Sequence, residues 1–222
     1  MKSCFEPILF DLDGTLIDSG HDIAQSVNQV LRDLDLPALA LDEVLGFVGD
    51  GVRRLMECTL HHLGREDLDR QIKHFRRHYR DHLLDHTRPY PGVVDLLERL
   101  KGTALGVVTN KPGGMARAIL AGLGLSRHFA AVIGGDEAGS IKPQPQPLLL
   151  ACQQLGFPPE AGIMIGDYHN DIEAGRAAGM ATCGVLWGFV GSEAVRAARP
   201  DHLCTQVSEL NTLLLPGKGP GP

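Results

Sequence analysis

Short apolar runs alternate with amphipathic stretches over most of the chain. The runs with the length and composition of buried strands are residues 8–10, 104–109, 130–135, 161–166 and 181–187. The stretches with helical spacing include "GVVDLLERL", "GGMARAILAGLGL", "PLLLACQQLG" and "NDIEAGRAAG". Strands that are apolar on both faces and alternate with helices are typical of a parallel sheet covered by helices. The pattern therefore predicts an α/β fold.

The segment from Ser19 to Thr87 interrupts this alternation. It contains no convincing strand pattern but several amphipathic stretches, and the prolines of "RPYPG" at 88–92 mark a turn back to the sheet. We therefore predict a Rossmann-like parallel sheet core, formed by residues 1–18 and 88–215, with an inserted α-helical cap domain at 19–87. The tail at 216–222, "PGKGPGP", has little to bury and is predicted to be disordered.

Composition excludes several classes of partner. The formal net charge of -6 argues against a surface for nucleic acid, whose phosphates attract basic faces. No secretory leader opens the chain, and no apolar run has the length of a membrane span. The 5 cysteines are scattered and lack C-x-x-C spacing, which suits a reducing compartment. We expect a cytoplasmic monomer or homodimer that binds neither nucleic acid nor a membrane.

Polar side chains that can carry chemistry follow four of the predicted strands. In chain order they are Asp11 and Asp13, Thr109 and Asn110, Lys142, and Asp167 and Asp171. Sites in parallel sheets form at the carboxyl ends of the strands, near the change in strand order. Neighbouring carboxylates repel each other unless a cation or a proton offsets the repulsion. These residues are therefore predicted to form one site.

A site of this composition can hold a hard cation against a phosphate. Magnesium prefers carboxylate oxygens together with water and substrate oxygens, and Asp11 and Asp167 can supply the carboxylates. Thr109 and the amide of Asn110 can hold phosphate oxygens, with Lys142 as a fixed positive charge. The predicted ligand is a small phosphorylated metabolite, and the predicted cofactor is Mg²⁺.

Asp11 and Asp13 are suited to different steps of phosphoester hydrolysis. A carboxylate such as Asp11 can attack phosphorus and form an aspartyl-phosphate. Asp13 can then protonate the leaving oxygen and later deprotonate water. A dehalogenase would direct Asp11 at carbon and would need no Mg²⁺, and Asp13 argues against that reaction. A binding protein on an inactive scaffold is disfavoured because every one of these residues is present.

The segments "DLDGT", "VVTNKP", "IKP" and "GDYHNDIEAG", in this order, resemble the four motifs of the haloacid dehalogenase superfamily of phosphatases. The inserted helices resemble the type 1 cap of that superfamily, and the likeness extends from about Phe5 to Leu215.

The resemblance assigns a role to each motif residue. It implies that Asp11 is the nucleophile, that Asp13 is the general acid and base, and that Mg²⁺ is bound by Asp11, Asp167 and the main-chain oxygen of Asp13. It also implies that Thr109 and Asn110 bind phosphate and that Lys142 balances charge. Asp171 is either a second carboxylate at the metal or a partner of Lys142. From the residues alone, Asp171 can also cap the helix that follows it.

Longer segments, including "VGDGVRRLM", "GVVTNKP", "VIGGDEAGSIKPQPQPLLLA" and "LWGF", resemble bacterial phosphoglycolate phosphatases. This likeness implies magnesium-dependent hydrolysis of 2-phosphoglycolate to glycolate and phosphate through an aspartyl-phosphate. Asp50 departs from the asparagine usual in that group, and residues 168–170 lie in a variable tract. The alternative is a phosphatase or mutase for another small phosphoester, such as a sugar phosphate or pyrophosphate.

The cap is expected to select the substrate, because the core residues named above all serve the phosphoryl group. In "FVGDGVRR", Arg53 offers a planar fork that matches a carboxylate, and Arg54 is the second candidate. We therefore expect Arg53 to bind substrate. A further pattern in the cap is histidine at every fourth position from His74 to His86, which predicts one solvated side of a helix rather than a metal site.

Overall fold

The computed structural model describes residues 3–62, 67–189 and 191–215. Its main sheet is parallel and six-stranded, in the order β5-β4-β1-β6-β7-β8. These strands are β1 (Ile8–Phe10), β4 (Leu105–Val108), β5 (Ala131–Ile133), β6 (Ile163–Gly166), β7 (Ala181–Val185) and β8 (His202–Cys204). The predicted α/β fold is confirmed. The edge strand β8 was not predicted because, unlike β1 and β5, which are also three residues long, it begins with a histidine and has one buried residue, Cys204, so it shows no apolar run.

Helices cover the sheet and build the inserted segment. The inserted helices are α1 (Gly20–Arg32), α2 (Leu41–Leu45), α3 (Gly51–His62) and α4 (Leu68–Asp81). The remaining helices are α5 (Val93–Arg99), α6 (Gly113–Gly122), α7 (Gln146–Leu155), α8 (His169–Ala177), α9 (Ser192–Ala197) and α10 (Val207–Leu214). In the part of the chain that the structure describes, no helix is long and apolar enough to cross a membrane.

β1 lies at the centre of the sheet and positions the site. All of its residues are 0% exposed, and Phe10 is in register with Val107 of β4 and Ile165 of β6. Because the three strands are parallel, their carboxyl ends meet at one edge of the sheet. Asp11 and Asp167, which follow β1 and β6, are therefore brought to the same place.

The inserted segment is connected to the core through a short antiparallel pair, β2 (Ile17–Asp18) and β3 (Arg88–Pro89). The carboxylate of Asp22, which is 0% exposed, accepts hydrogen bonds from the main-chain nitrogens of His86 and Thr87 and from the Thr87 hydroxyl. These bonds satisfy a buried charge and hold the returning chain against α1. The cap limits at 19 and 87 stay a prediction, and the tail at 216–222 lies outside the described residues.

The inserted helices pack mainly on one another. α1 packs on α2 and α4, and α3 packs on α4. Their amphipathic spacing brings Val27 and Val30 of α1 together with Phe75 and Tyr79 of α4 in the buried core. This packing points one side of α4 toward the carboxyl end of the sheet, where Phe75 and Tyr79 line the cavity described below.

Candidate active site

Asp11 directly follows β1 and faces a cavity between the sheet and the inserted helices. Its carboxylate is 12% exposed, and its Oδ1 accepts a hydrogen bond from Lys142 Nζ at 2.7 Å. Burial raises the pKa of Asp11 to about 7, with the Asp171 and Asp13 carboxylates acting in the same direction and Lys142 opposing them. A second cation, in addition to Lys142, would lower this pKa and favour the ionised carboxylate at neutral pH.

Asp167 follows β6 and is held through both of its carboxylate oxygens. Oδ1 accepts a hydrogen bond from the Thr15 hydroxyl at 2.8 Å, and Oδ2 accepts one from the Phe189 main-chain nitrogen at 3.0 Å. Gly14, with φ of +83°, lies so close that a β-carbon there would overlap the Asp167 carboxylate. Burial, together with the charges of Asp11 and Asp171, raises the pKa of Asp167 well above its usual range.

Lys142 and Asp171 form a buried ion pair beside Asp11. Lys142 Nζ donates to Asp11 Oδ1 at 2.7 Å, to Asp171 Oδ1 at 2.7 Å and to the Val108 main-chain oxygen at 2.6 Å. The other oxygen of Asp171 accepts a hydrogen bond from the Tyr168 main-chain nitrogen at 3.0 Å, at the start of α8. The structure thus combines two of the alternatives left open by the sequence, because Asp171 both pairs with Lys142 and caps the helix.

The carboxylates of Asp11, Asp167 and Asp171 form an acidic cluster. One oxygen from each lies within 4.8 Å of the others, and within the described ranges this is the group of side chains that can hold a metal ion. When the three carboxyl groups are ionised, the ammonium of Lys142 is, among the described residues, the one cation that contacts them, so the buried cluster has an excess of negative charge that a bound cation would balance. Hard oxygen donors and uncompensated negative charge are the properties that Mg²⁺ requires, so the residues present fit this ion.

The side chain of Asp13 lies outside that acidic cluster and has partners of its own. Its Oδ1 accepts hydrogen bonds from the Ser19 hydroxyl and from Lys111 Nζ, the latter at 2.7 Å. Lys111 also donates to the Tyr79 hydroxyl at 2.7 Å. Burial by itself lowers the pKa of Lys111, but Asp13 and Tyr79 outweigh it, so the net shift is upward and the ammonium is charged.

Sequence reasoning missed Lys111 and Tyr79. Lys111 directly follows Thr109 and Asn110, and Tyr79 lies on the apolar side of an amphipathic helix. The position of Lys111 directly after Thr109 and Asn110 was a sequence signal that could have identified it. The sequence signal for Tyr79 was too general, because an aromatic residue at helical spacing usually belongs to a core.

The side chain of Asn110 connects three parts of the molecule. Its Nδ2 donates to the main-chain oxygens of Gly49 and Lys142 at 2.8 and 3.0 Å, and its Oδ1 accepts from the Lys142 nitrogen at 2.9 Å. The Asn110 amide side chain is therefore engaged in structure. Thr109 lies beside it in the cavity lining, and its Oγ1 accepts a hydrogen bond from the Lys111 main-chain nitrogen at 3.2 Å.

The loop before α3 rests directly on the core. Asp50, which stands where the related phosphatases usually have asparagine, takes part in this contact. Its Oδ1 accepts a hydrogen bond from Asn170 Nδ2 at 2.6 Å. Gly49, with φ of +133°, lies against the Tyr168 ring, where a β-carbon would come within 2.8 Å of ring carbons. The loop can approach Tyr168 this closely because glycine has no side chain and tolerates this φ.

Arg53 is not brought into the cavity, contrary to the expectation that it contacts substrate. Its side chain is 61% exposed and forms an ion pair of 2.8 Å with Asp69. The turn of α3 directs Leu55 and Met56 into the core, which leaves Arg53 toward solvent and the start of α4. Arg54 is 59% exposed, lies near Glu57, and is likewise absent from the cavity lining.

The histidine pattern is only partly helical. α4 ends at Asp81, so His82 and His86 lie beyond it, although His78 and His82 still stack with ring centroids 4.3 Å apart. Instead of sharing a ligand, His74 pairs with Asp33 and His82 pairs with Asp85.

Comparison with known proteins identifies the family. The family model described as "Haloacid dehalogenase-like hydrolase" matches residues 8–185. A phosphoglycolate phosphatase of Aquifex aeolicus is 41% identical over 209 residues, covering 93% of this chain and 95% of the relative. One of Haemophilus influenzae is 35% identical, covering 96% of this chain and 100% of the relative.

Solved structures give the same result. A predicted phosphoglycolate phosphatase from Haemophilus somnus 129pt superposes with a TM-score of 0.84 at 32% identity, covering 94% of this chain and 97% of that one. The matched residues include the strands and loops that carry Asp11, Asp167 and the rest of the acidic cluster. The chain belongs to the haloacid dehalogenase-like hydrolase family.

Proposed function

We propose that this hydrolase is a magnesium-dependent phosphomonoesterase that converts 2-phosphoglycolate to glycolate and phosphate. The observation that carries the proposal is the meeting of Asp11, the acidic cluster and Asp13 at one end of the sheet, inside a covered cavity. The phosphoglycolate phosphatases of Aquifex aeolicus and Haemophilus influenzae, 41% and 35% identical to this chain, support the choice of substrate.

In the first step, an Asp11 oxygen attacks phosphorus and the bond from phosphorus to the ester oxygen breaks. Asp13 gives its proton to that oxygen, so glycolate leaves as the alcohol and Asp11 carries the phosphoryl group. In the second step, Asp13 takes a proton from water as the water oxygen attacks phosphorus. The Asp11 carboxylate and inorganic phosphate are then released.

Several residues assist without exchanging protons or bonds. Thr109 and the main-chain amide of Asn110 hold phosphoryl oxygens, while Lys142 keeps Asp11 in place through the bond of 2.7 Å. Mg²⁺ would be held by Asp11, Asp167 and the main-chain oxygen of Asp13, with Asp171 adjacent. When bound, it would supply positive charge to the phosphoryl oxygens.

The inserted segment contributes an apolar cover. Val48 of the loop before α3, Leu55 of α3 and Phe75 of α4 line the cavity together with the charged residues. Excluding water in this way strengthens electrostatic interactions around the phosphoryl group and protects the aspartyl-phosphate from uncontrolled hydrolysis.

A panel of phosphorylated metabolites, assayed for released phosphate with Mg²⁺ present, tests the proposal. We expect the highest kcat/KM for 2-phosphoglycolate and one phosphate released per substrate consumed. A preference for a sugar phosphate or for pyrophosphate would contradict the proposed substrate but would still agree with the proposed phosphatase reaction. Consumption of substrate without release of phosphate would instead indicate a mutase.

A further inference from the structure

One buried cation in the cavity has no role in the phosphoryl steps above. Lys111 is 5% exposed at its side chain and lies where the core meets the inserted helices. Its Nζ donates to Asp13 of the core and to Tyr79 of α4, both at 2.7 Å. A buried ammonium is costly unless its surroundings compensate it, so its position at the centre of the site calls for a function.

Lys111 and Tyr79 have more N–H and O–H donors than their bonds to each other and to Asp13 require. An ammonium has three N–H donors, and the bonds to Asp13 and Tyr79 account for two of them. The Tyr79 oxygen accepts from Lys111, so the phenol keeps its own proton for a different acceptor. Lys111 and Tyr79 can therefore present one donor each to a group that has two acceptor oxygens, as a carboxylate has.

We propose that Lys111 and Tyr79 together bind the carboxylate of the substrate and so make the site selective for phosphoesters of short hydroxy acids. The inference rests on the proposed function and deepens it by naming the groups that recognise the leaving group. It assigns to Lys111 and Tyr79 the task that the sequence suggested for Arg53.

Covalent geometry supports this placement. In 2-phosphoglycolate a single methylene separates the ester oxygen from the carboxylate. When the ester oxygen is within reach of its proton donor, Asp13, the carboxylate has to lie within a few bond lengths of Asp13 as well. Lys111 Nζ occupies that neighbourhood, at 2.7 Å from Asp13 Oδ1. Arg53, exposed and paired with Asp69, does not.

The other charged residues of the cavity do not offer an alternative. Of the described residues that line it, the cations are Lys111 and Lys142. Lys142 uses its three protons on Asp11, Asp171 and the Val108 oxygen, which leaves Lys111 to meet an anionic leaving group. Apolar side chains, among them Phe75 and Met115, also line the cavity, and apolar surroundings strengthen the attraction between the Lys111 ammonium and an anion.

The test uses two esters with the same skeleton, 2-phosphoglycolate and 2-hydroxyethyl phosphate, which differ in having a carboxylate or a hydroxymethyl group. The readout is the ratio of their kcat/KM values. Lys111→Met removes the positive charge, and kcat/KM should fall for both esters because Lys111 also contacts Asp13. We expect the ratio of the two kcat/KM values to fall about 10- to 100-fold as well, because the variant loses one charge-assisted hydrogen bond to the carboxylate. Tyr79→Phe should lower the ratio in the same direction by a smaller factor.

Matched variants separate recognition from general damage. Lys73→Met makes the same substitution at an exposed position of α4 and should keep the wild-type ratio. Lys111→Arg keeps the positive charge and should retain more of the ratio than Lys111→Met. An unchanged ratio in Lys111→Met, or a wild-type enzyme with no preference for the carboxylated ester, overturns the inference. A ratio that falls only in Arg53→Ala would return the role to Arg53.

Failure of the proposed function is distinguishable from failure of this inference. If the wild-type protein with Mg²⁺ releases phosphate from neither ester, the proposed function fails. In that case, the affinity of the wild type and of Lys111→Met for 2-phosphoglycolate, measured by calorimetry, tests the inference independently of catalysis. Weaker binding to the variant by about tenfold or more supports it, and equal binding overturns it.

Discussion

Asn110, in the loop that follows β4, donates a hydrogen bond of 2.8 Å to the main-chain oxygen of Gly49 in the inserted segment. The same side chain bonds both main-chain groups of Lys142, so one amide joins the covering loop to the loop that carries the buried lysine. The position of the cover is thereby coupled to the residues around Asp11. Changes in the loop are expected to affect catalysis although they alter no reacting group.

Gly49→Ala should reduce activity by displacing this loop. The new β-carbon would meet the Tyr168 ring, and φ of +133° is strained for alanine. Because small misplacements of a positioned substrate can cost on the order of 100-fold, we expect kcat/KM to fall about 10- to 100-fold. Gly114→Ala is the matched control, since a β-carbon there meets nothing within 4 Å. Equal activity in the two variants would contradict a role for the loop.

Asp11→Asn and Asp13→Asn should impair different steps of the reaction. Without the Asp11 carboxylate no phosphoenzyme forms, so phosphate release should be lost. Asp13→Asn should chiefly slow proton transfer, by about 10²- to 10⁴-fold. Rapid-quench trapping of the phosphoenzyme, with mass spectrometry to exclude deamidation, is the measurement. A phosphoenzyme that forms on the Asp11→Asn protein would refute the assignment of the nucleophile.

Removing divalent metal should abolish hydrolysis and lower thermal stability. The carboxylates of Asp11, Asp167 and Asp171 repel one another inside the protein, so a bound cation stabilises the folded state. At about 100 times its Kd, Mg²⁺ should raise Tm by about 5–10 °C for a chain of this size. Asp167→Asn should diminish this rise. Full activity after exhaustive chelation would contradict the proposed cofactor.

The contribution of His78 to the stability of the fold should decrease as pH falls below the usual pKa of histidine. Burial, with the positive charges of His82 and Arg32, lowers the pKa of His78, which also hydrogen-bonds Ser26. The unfolded chain then binds a proton at a higher pH than the folded chain, so lowering the pH favours unfolding. His74 acts in the same direction as His82, and Asp81 opposes it.

The measurement is the change in Tm between about pH 7.5 and about pH 5.5. His78→Gln cannot acquire this proton, so its Tm should fall less than that of the wild type over the same range. His61→Gln, at an exposed position of α3, is the control. The same fall in Tm for the wild type and His78→Gln would show that His78 does not contribute.

The sequence by itself determined five of the six strands of the main sheet and the edge of the sheet at which the candidate site residues meet. Apolar runs such as residues 8–10 are local signals for buried strands, and parallel strands necessarily bring their carboxyl ends together. The proximity of Asp11, Asp167 and Lys142 follows from that rule, and the structure brings these three residues together. The order of the four motifs was enough to indicate the family, which the comparisons establish.

Only the tertiary structure decided which cap residues reach the cavity. Arg53 and Tyr79 both lie on amphipathic helices, but the rotation of each helix against its neighbours turns Arg53 to solvent and Tyr79 toward Lys111. The two functions of Asp171 also depend on distant partners, Lys142 and the start of α8. Helical periodicity specifies which side of a helix is buried, whereas the element that it is buried against depends on long-range packing.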